Sequence, residues 1–338
     1  MLDTYQKVLF TIILLLCANY LAIVTYNRLL KPNYNRVIKI KEGFEDGATA
    51  GAGEATAAKG EEDMYVWLTN KNIYDKFVAD IYDTLTAGAN RTRAEAAFCV
   101  KRWESKTPKE RMKILDVGCG TGHGCIAMAA SDVGKTCGLD LSAAMLTKAR
   151  ANQEESKKAK DHEIEWREGN AEQASTCQPN EFTHATIFYF SIYYIKDKPA
   201  FFKNLYTWIA PGGGLAIEVV NKYKFDPLFT TASPFVGFSL QKYVKDRINT
   251  SKVSFNKFDY EGSFRLLEEG DKSEAAEFRE VITFKDSKTV RRHKHHLYMP
   301  DMKEIIKAAD AAGFQYSGYQ DLMSLGFEYS YLLFFDKH

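Results

Sequence analysis

Hydrophobic and polar positions divide the 338-residue chain into three regimes. The first, Val8 to Tyr26, reads VLFTIILLLCANYLAIVTY and is apolar without periodicity or charge. Its 19 residues, at about 1.5 Å each, reach roughly 28 Å, close to the hydrocarbon thickness of a bilayer. That length predicts a single transmembrane helix. The run is long for a cleaved signal peptide, and no good small-x-small site follows it. Cys17 follows Leu16, where a lipoprotein signal needs a small residue. The second regime, Glu42 to Asp63, is Gly, Ala, Thr and acid with little to bury, and it reads as a flexible linker.

From Met64 onward the pattern is that of a folded domain. Ile73, Phe77 and Ile81 recur at helical spacing within a helical region starting near Tyr65, and a second helix covers about Arg91 to Glu104. Short apolar runs then alternate with helical stretches. KILDVG, TCGLD, EIEWRE, HATIFYFS and LAIEVV read as strands. Helices are expected from Gly124 to Ala130, from the Ser142 cap to about Lys160, and from Pro199 to Trp208, where APGGG stops the last of them. This order predicts a parallel sheet with helices on both faces. After Asn221 the pattern changes: SFNKFDYEGSFRLLEE, EFREVITF and HKHHLYMP read as antiparallel strands before a helix from Pro300 to Ala312. FQYSGY and YSYLLFF finish the chain as strands.

Charge adds an orientation. Only Lys7, offset by Asp3, precedes the apolar span, whereas Arg28, Lys31, Arg36, Lys39 and Lys41 follow it. Positive flanks stay cytoplasmic, which predicts a single-pass membrane protein with its folded domain on the cytosolic side. The basic flank would meet anionic headgroups. With 45 basic against 44 acidic residues there is no global field to hold nucleic acid. Cys17, Cys99, Cys119, Cys125, Cys137 and Cys177 lack both the pairing of a zinc site and the density of a disulfide scaffold, and are expected to be reduced.

The chemistry concentrates in ILDVGCGTGHG, Ile114 to Gly124. A glycine turn leaving a parallel strand is a nucleotide-binding site, because no Cβ blocks the ligand and the next helix offers free N–H groups. The dinucleotide fingerprint Gly-x-Gly-x-x-Gly fails here: from Gly118 its third glycine would be His123, and from Gly120 it would be Cys125. That speaks against a dehydrogenase. The Gly-Lys-Ser/Thr of a phosphate loop is absent. Asp116, one step upstream of the glycines, repels phosphate and attracts an ammonium group. Asp140, about 20 residues beyond the turn, suits a pair of ribose hydroxyls.

LDVGCGTG with GLDLS, EGNAEQ and APGGG, in this order, resembles the class I S-adenosylmethionine-dependent methyltransferases. The resemblance runs from about Tyr65 to the C-terminus. It implies an α/β, Rossmann-like seven-stranded sheet with its last strand antiparallel, here with an antiparallel insertion after strand five. The implied organisation is an anchor with its basic flank (1–41), a linker (42–63) and a methyltransferase domain (64–338) in which 223–280 is a substrate or lid insertion. The resemblance also implies S-adenosyl-L-methionine as cofactor. Asp116 would orient its ammonium. Gly118, Gly120 and Gly122, with Cys119 and Thr121 between them, would line the methionine and ribose. Asp140 would hold the ribose hydroxyls, Leu141 would lie against adenine, and Tyr189 would complete the cofactor site. Asn170 and Ala171 stand where the family usually carries an Asp-containing pair; the Asn170 oxygen would still accept from the adenine amine. YDKFVADIYD, FTHATIFYFSIYYI, FDPL, HLYMP and EYSYL further resemble membrane-anchored methyltransferase-domain proteins of large DNA viruses of protists.

The acceptor is less legible. The Asn/Asp-Pro-Pro-Tyr signature of amino-methylating nucleic-acid enzymes is absent after strand four, and no Pro-Cys pair offers a cytosine-methylating nucleophile. Tyr193, Tyr194 and His295 are the expected substrate-side residues, and the acceptor class stays open among small molecule, lipid and protein. His293 and His295 share a strand face, but no carboxylate or thiol joins them at ligand spacing in the sequence. RRHKHH is therefore read as a basic strand at the pocket rim, and no metal is expected. The alternative to a membrane-tethered methyltransferase, whose membrane the viral resemblance allows to be a viral one, is a catalytically idle cofactor-binding scaffold anchored in a cellular or virion membrane.

Overall fold

The computed structural model describes residues 38–39, 67–86, 88–227, 247–267 and 275–338. The expected membrane span, the linker, and residues 228–246 and 268–274 of the insertion lie outside the described residues. Among the described residues, no helix is long and apolar enough to cross a membrane.

The chain begins with two short strands, β1 (Ile38–Lys39) and β2 (Leu68–Thr69), then helices α1 (Lys76–Thr86) and α2 (Ala89–Trp103). An alternating core follows: β3 (Lys113–Val117), α3 (His123–Ala129), β4 (Lys135–Asp140), α4 (Ala143–Glu155), β5 (Ile164–Glu168), β6 (Phe182–Ile187), α5 (Ser191–Tyr194), α6 (Lys198–Trp208) and β7 (Ile209–Val220). Then come β8 (Thr250–Ser254), β9 (Phe258–Leu266), β10 (Ala275–Phe284), β11 (Val290–Tyr298), α7 (Met302–Ala311), β12 (Gln315–Asp321) and β13 (Ser330–Asp336).

Seven strands form one sheet in the order β12-β13-β7-β6-β3-β4-β5. Strands β3 to β7 pair in parallel, and β13 runs antiparallel between β12 and β7. The expected sheet and its reversed last strand are both present. Helices cover its two faces, so the central strands are apolar on both sides and read as continuous hydrophobic runs. Caps fix the helix starts: Ser142 accepts from the Met145 N–H, and Asp197 from the Ala200 N–H just after Pro199 is set into the first turn.

A second, six-stranded sheet has the order β1-β8-β9-β10-β11-β2. Strands β8 to β11 form an antiparallel meander, and the short β1 and β2 join its edges in parallel. The described residues of the insertion are therefore sheet-building, as their pattern predicts. Ile81 and Leu85 of α1 pack against Val253, Phe255, Phe258, Tyr260 and Ile282 of this sheet. The stretch from β2 through α1 thus ties the second sheet to the carboxyl ends of the first.

Three local expectations change. The helical region expected near Tyr65 starts only at Lys76, because Asp75 accepts from the Val78 N–H as its cap and Leu68–Thr69 pairs with β11. The helix expected to reach Lys160 stops at Glu155, where the Ser156 hydroxyl competes by accepting from the Ala159 N–H. APGGG does not sit outside the strand: β7 begins at Ile209 and runs through it. An ideal Cβ at Gly213 would lie 2.0 Å from the Thr183 carbonyl oxygen, so a bare residue is what lets the strands meet.

Candidate active site

Asp116 ends β3 almost wholly buried, at 2% exposure. The Thr186 hydroxyl of β6 donates to its Oδ1 at 2.8 Å, and Cys125 Sγ lies 3.9 Å from its Oδ2. Burial pushes its pKa up to about 7, and the nearby Asp140 adds to the rise against the Thr186 hydrogen bond. The carboxylate needs room that only glycine provides, since a Cβ on Gly124 would stand 2.4 Å from Asp116 Oδ2.

Gly120, at φ +54°, is the bare residue of the turn that faces open space; its nearest neighbours are Met145 and Tyr82 side-chain atoms at 4.0 Å from an ideal Cβ. Gly118 also lines the cleft, by its backbone, and at Gly118 and Gly122 the Ser191 side chain and the Trp166 ring occupy the space a Cβ would take. A cleft opens beside the turn, bounded by Asp116, Gly120, Tyr82, Asp83 and Tyr189. Half-buried Cys119 also reaches it.

Asp140 ends β4 beside this cleft. Its two carboxylate oxygens accept from the Gly120 and Ser142 N–H groups, each at 2.9 Å. Next to it Leu141 is 56% exposed, a bare apolar plate at the cleft edge. Three predicted contacts are already engaged within the protein. The Thr121 hydroxyl donates to Asp83 at 2.5 Å. Asn170 Oδ1 accepts from the Glu172 N–H at 2.9 Å, and the Ala171 carbonyl accepts from the Asn204 amide at 3.1 Å.

Helix α1 roofs the cleft. Asp83 fastens it down by accepting from Thr121 and from the Asn152 amide at 3.0 Å, with His123 Nε2 at 3.1 Å. Burial would raise the Asp83 pKa, but these partners outweigh it and hold the carboxyl below its usual range. On the opposite side, Tyr189 and Phe190 both have positive φ, 43° and 64°. Two adjacent non-glycine residues in this region mark a strained turn after β6. The Tyr189 N–H donates to Glu218 Oε2 at 2.6 Å, and Glu218 is itself paired with buried Arg91, which also holds Glu95. Burial, reinforced by Glu218, lifts the Glu95 pKa to about 8.

The three expected substrate-side residues separate. Tyr193 is buried at 1%, and its hydroxyl accepts from the Val220 N–H at 2.8 Å, so it is a core residue and the substrate-facing role is corrected. Tyr194 and His295 do come together: the Tyr194 hydroxyl lies 2.7 Å from His295 Nδ1 and 2.8 Å from the Tyr74 hydroxyl. Rings then run edge to face from Tyr194 to Tyr74, Tyr82 and Tyr189, which reach the glycine turn.

The reading of RRHKHH is also corrected. His293 and His295 are buried rather than at a rim, and a carboxylate does join them. Glu280 of β10 stands opposite His293 in register, and its Oε2 meets His293 Nδ1 at 2.9 Å and His295 Nε2 at 2.8 Å. The Tyr260 hydroxyl donates to Oε1 at 2.8 Å. Burial would raise the Glu280 pKa, but the two histidines hold it far below the usual carboxylate range. The donor atoms of Glu280, His293 and His295 lie within 4.8 Å of one another, a spacing that a divalent cation would accept.

Sequence reasoning missed Tyr74, Tyr82, Asp83 and Glu280. Tyr74, Val78 and Tyr82 fall on one helical stripe of YDKFVADIYD, and folding EFREVITF onto VRRHKHHLY about Lys285–Thr289 sets Glu280 against His293; both signals were present.

Residues 114–213 match the family model described as "Methyltransferase domain". Over 113 residues the chain is 33% identical to phosphoethanolamine N-methyltransferase 3 of Arabidopsis thaliana, covering 32% of this chain and 21% of that protein. The match thus spans about a fifth of the plant relative. Over 190 residues it is 29% identical to the demethylmenaquinone methyltransferase of Lactococcus lactis, covering 52% of this chain and 73% of that one. Among solved structures, an S-adenosylmethionine-dependent methyltransferase from Clostridium acetobutylicum superposes with a TM-score of 0.57 at 17% identity, over 79% of this chain and 99% of that chain. That similarity concerns the fold.

Proposed function

We propose that this chain is a class I S-adenosylmethionine-dependent methyltransferase that methylates a small-molecule acceptor in the space between the glycine turn and the second sheet. The observation that carries this reading is Asp116: a buried carboxyl beside a bare glycine turn, with a pKa near neutrality, is placed to be ionised by an arriving cation. The residues fit the cofactor. Asp116 would take its ammonium, Gly120 would let its backbone-facing side approach, Asp140 would turn toward the ribose and Leu141 would cover adenine. When bound, S-adenosylmethionine supplies a methyl group on sulfonium, already activated for displacement. The chain then positions the acceptor, excludes water and accepts a proton. Helix α1 with Tyr82 and Tyr189 forms the walls that do the first two, and the rings of Tyr74 and Tyr194 adjoin them.

The names of the relatives, one an N-methyltransferase of phosphoethanolamine and one acting on demethylmenaquinone, support a small acceptor with a heteroatom or an activated ring. The uncharged span Val8–Tyr26 and the five basic residues after it support a tether, with 42–63 as linker and 64–338 on the cytosolic side. The narrower resemblance to viral proteins rests on the stretches quoted for it. Two measurements test the reading. Methyl-labelled S-adenosylmethionine incubated with the full chain and a small-metabolite extract should leave label in a low-mass product, and S-adenosylhomocysteine should bind. Absence of binding removes the assignment. Full-length protein that washes off membranes in carbonate removes the tether alone.

A further inference from the structure

We infer that Glu280, His295, Tyr194 and Tyr74 form a directed proton relay that takes up the proton lost by the acceptor, and that the acceptor is therefore an N–H or O–H nucleophile. This rests on the methyltransferase reading and adds to it the chemical class of the acceptor atom.

The direction follows from Arg291. Its Nε–H donates to His293 Nε2 at 2.6 Å, so that nitrogen carries no proton. Arg291 is itself fixed by Asp75 Oδ2 at 2.8 Å and by the Ile73 carbonyl at 3.2 Å. His293 is consequently neutral, with its single proton on Nδ1, and that proton goes to Glu280. This tautomer also opposes a metal ion, which would need His293 Nδ1 bare. Glu280 is left with its negative charge and three donors: Tyr260 on Oε1, His293 and His295 on Oε2. Since a carboxylate only accepts, His295 Nε2 holds a proton, and in the neutral ring Nδ1 is the free base.

His295 Nδ1 faces the Tyr194 hydroxyl, which donates to it and accepts in turn from Tyr74. The groups around His295 are Tyr74 before α1, Tyr194 on α5, Glu280 and Phe278 on β10, and His293 on its own strand. Of these, Glu280 carries the charge that favours a protonated His295. The arrangement of hydroxyl, imidazole and carboxylate follows the same logic as a nucleophile–base–acid triad, with the base held in one tautomer by the acid. Gly262, paired with Glu280 across β9 and β10, keeps the space in which the Tyr260 hydroxyl reaches the acid.

The proton balance is complete. The acceptor's lone pair forms the new bond to the methyl carbon, and the electrons of the broken C–S bond stay on sulfur. The N–H or O–H proton passes to the Tyr74 oxygen as the Tyr74 proton moves to Tyr194 and the Tyr194 proton to His295 Nδ1. The resulting imidazolium pairs with Glu280 until solvent takes the proton. Tyr82 and Tyr189 line the cleft, and Tyr74 stands edge to face with Tyr82, which joins the relay to it, while Glu280 and Arg291 act as positioning residues.

Two arms test this on the full-length chain. In the first, ring-¹⁵N-histidine spectra of the unliganded protein should show His293 as the neutral Nδ1–H tautomer and His295 as the Nε2–H tautomer. Glu280→Gln should let the His295 ring populate its second tautomer, and Tyr194→Phe should shift the His295 Nδ1 resonance. The opposite tautomer at His295, or an equivalent of zinc or iron that disappears in His293→Ala, overturns the relay. In the second, transfer from labelled S-adenosylmethionine is measured with phosphoethanolamine as an amine probe and a catechol as a hydroxyl probe. Tyr194→Phe should lower kcat by about 10²-fold with S-adenosylhomocysteine affinity kept within twofold, and Glu280→Gln should move the acid limb of the rate profile. An unchanged kcat in Tyr194→Phe overturns the relay. If the first arm holds and neither probe, nor any other N–H or O–H compound, is methylated, the inference about the acceptor fails while S-adenosylhomocysteine binding still stands for the methyltransferase reading.

Discussion

Replacing Asp116 by Asn should make the protein more stable at alkaline pH and unable to hold its cofactor well. Asp116 is raised from an ordinary 3.8 to about 7. At about 1.4 kcal/mol per pH unit, this corresponds to roughly 4 kcal/mol of disfavoured ionisation in the folded state. The sign follows from the raised value: the stabilising contribution is full below about pH 3.8, is lost as pH rises through 7, and leaves the whole penalty standing above that. Asp116→Asn removes the penalty and still accepts from Thr186, so unliganded protein should gain up to roughly 4 kcal/mol at pH 8.5 and little near pH 4. Binding runs the other way. A ligand ammonium requires the ionised acid, so the wild type should release about half a proton per S-adenosylhomocysteine bound at pH 7, and its affinity should fall about tenfold per unit below pH 7. Calorimetry in buffers of different ionisation enthalpy reads the release directly, and the Asn variant subtracts any contribution from the ligand. Equal proton release in both proteins, or no stability gain for Asn at pH 8.5, would refute the assignment of Asp116 as a strained, cation-seeking acid.

Gly124→Ala should reproduce part of that loss, because its Cβ would press on Asp116 Oδ2 from 2.4 Å; the overpacking is worth about 1–3 kcal/mol, read by chemical denaturation alongside S-adenosylhomocysteine titration. Gly120→Val should abolish S-adenosylhomocysteine binding while near-ultraviolet dichroism stays native, since the residue faces the cleft and φ +54° adds strain of about 1–2 kcal/mol. Tyr193→Phe should lower stability by about 1–3 kcal/mol by leaving the Val220 N–H unpaired. It should leave ligand affinity unchanged, in contrast to an effect centred on the cleft.

What could be read in advance was local. Asp116, Gly120 and Asp140 follow from an apolar strand, a glycine turn and the next strand's end, all within one stretch of chain. The parallel sheet with helices on both faces followed from the alternation of strand and helix, and its seven strands with the last one reversed from the family resemblance. The division of labour between Tyr193 and Tyr194 was hidden, because their directions are set by the two positive-φ residues before them, a conformation that no side-chain propensity announces at Tyr189 or Phe190. Glu280 was hidden because its partners sit across a hairpin and the relevant distance is not one along the chain. The uses of the turn's glycines were legible as a need for space, whereas which ligand or side chain takes that space, Ser191, Trp166 or Asp116, required the packing itself.

The place of β13 has a consequence for how the molecule comes into being. This strand, the last in chain order, lies inside the seven-stranded sheet with β7 on one side and β12 on the other. While the chain is being made, β7 keeps an unpaired edge from Gly214 to Val220 through the synthesis of β8 to β11, and β12 has nothing to join. Closure is a late, long-range event, the kind that is slow and leaves strand edges open to wrong partners. The loss of Ser330–Asp336 would therefore not trim a margin. It would part the sheet in its interior, and the site would go with it, because Glu218, which holds the Tyr189 turn, pairs with Leu332 of that strand.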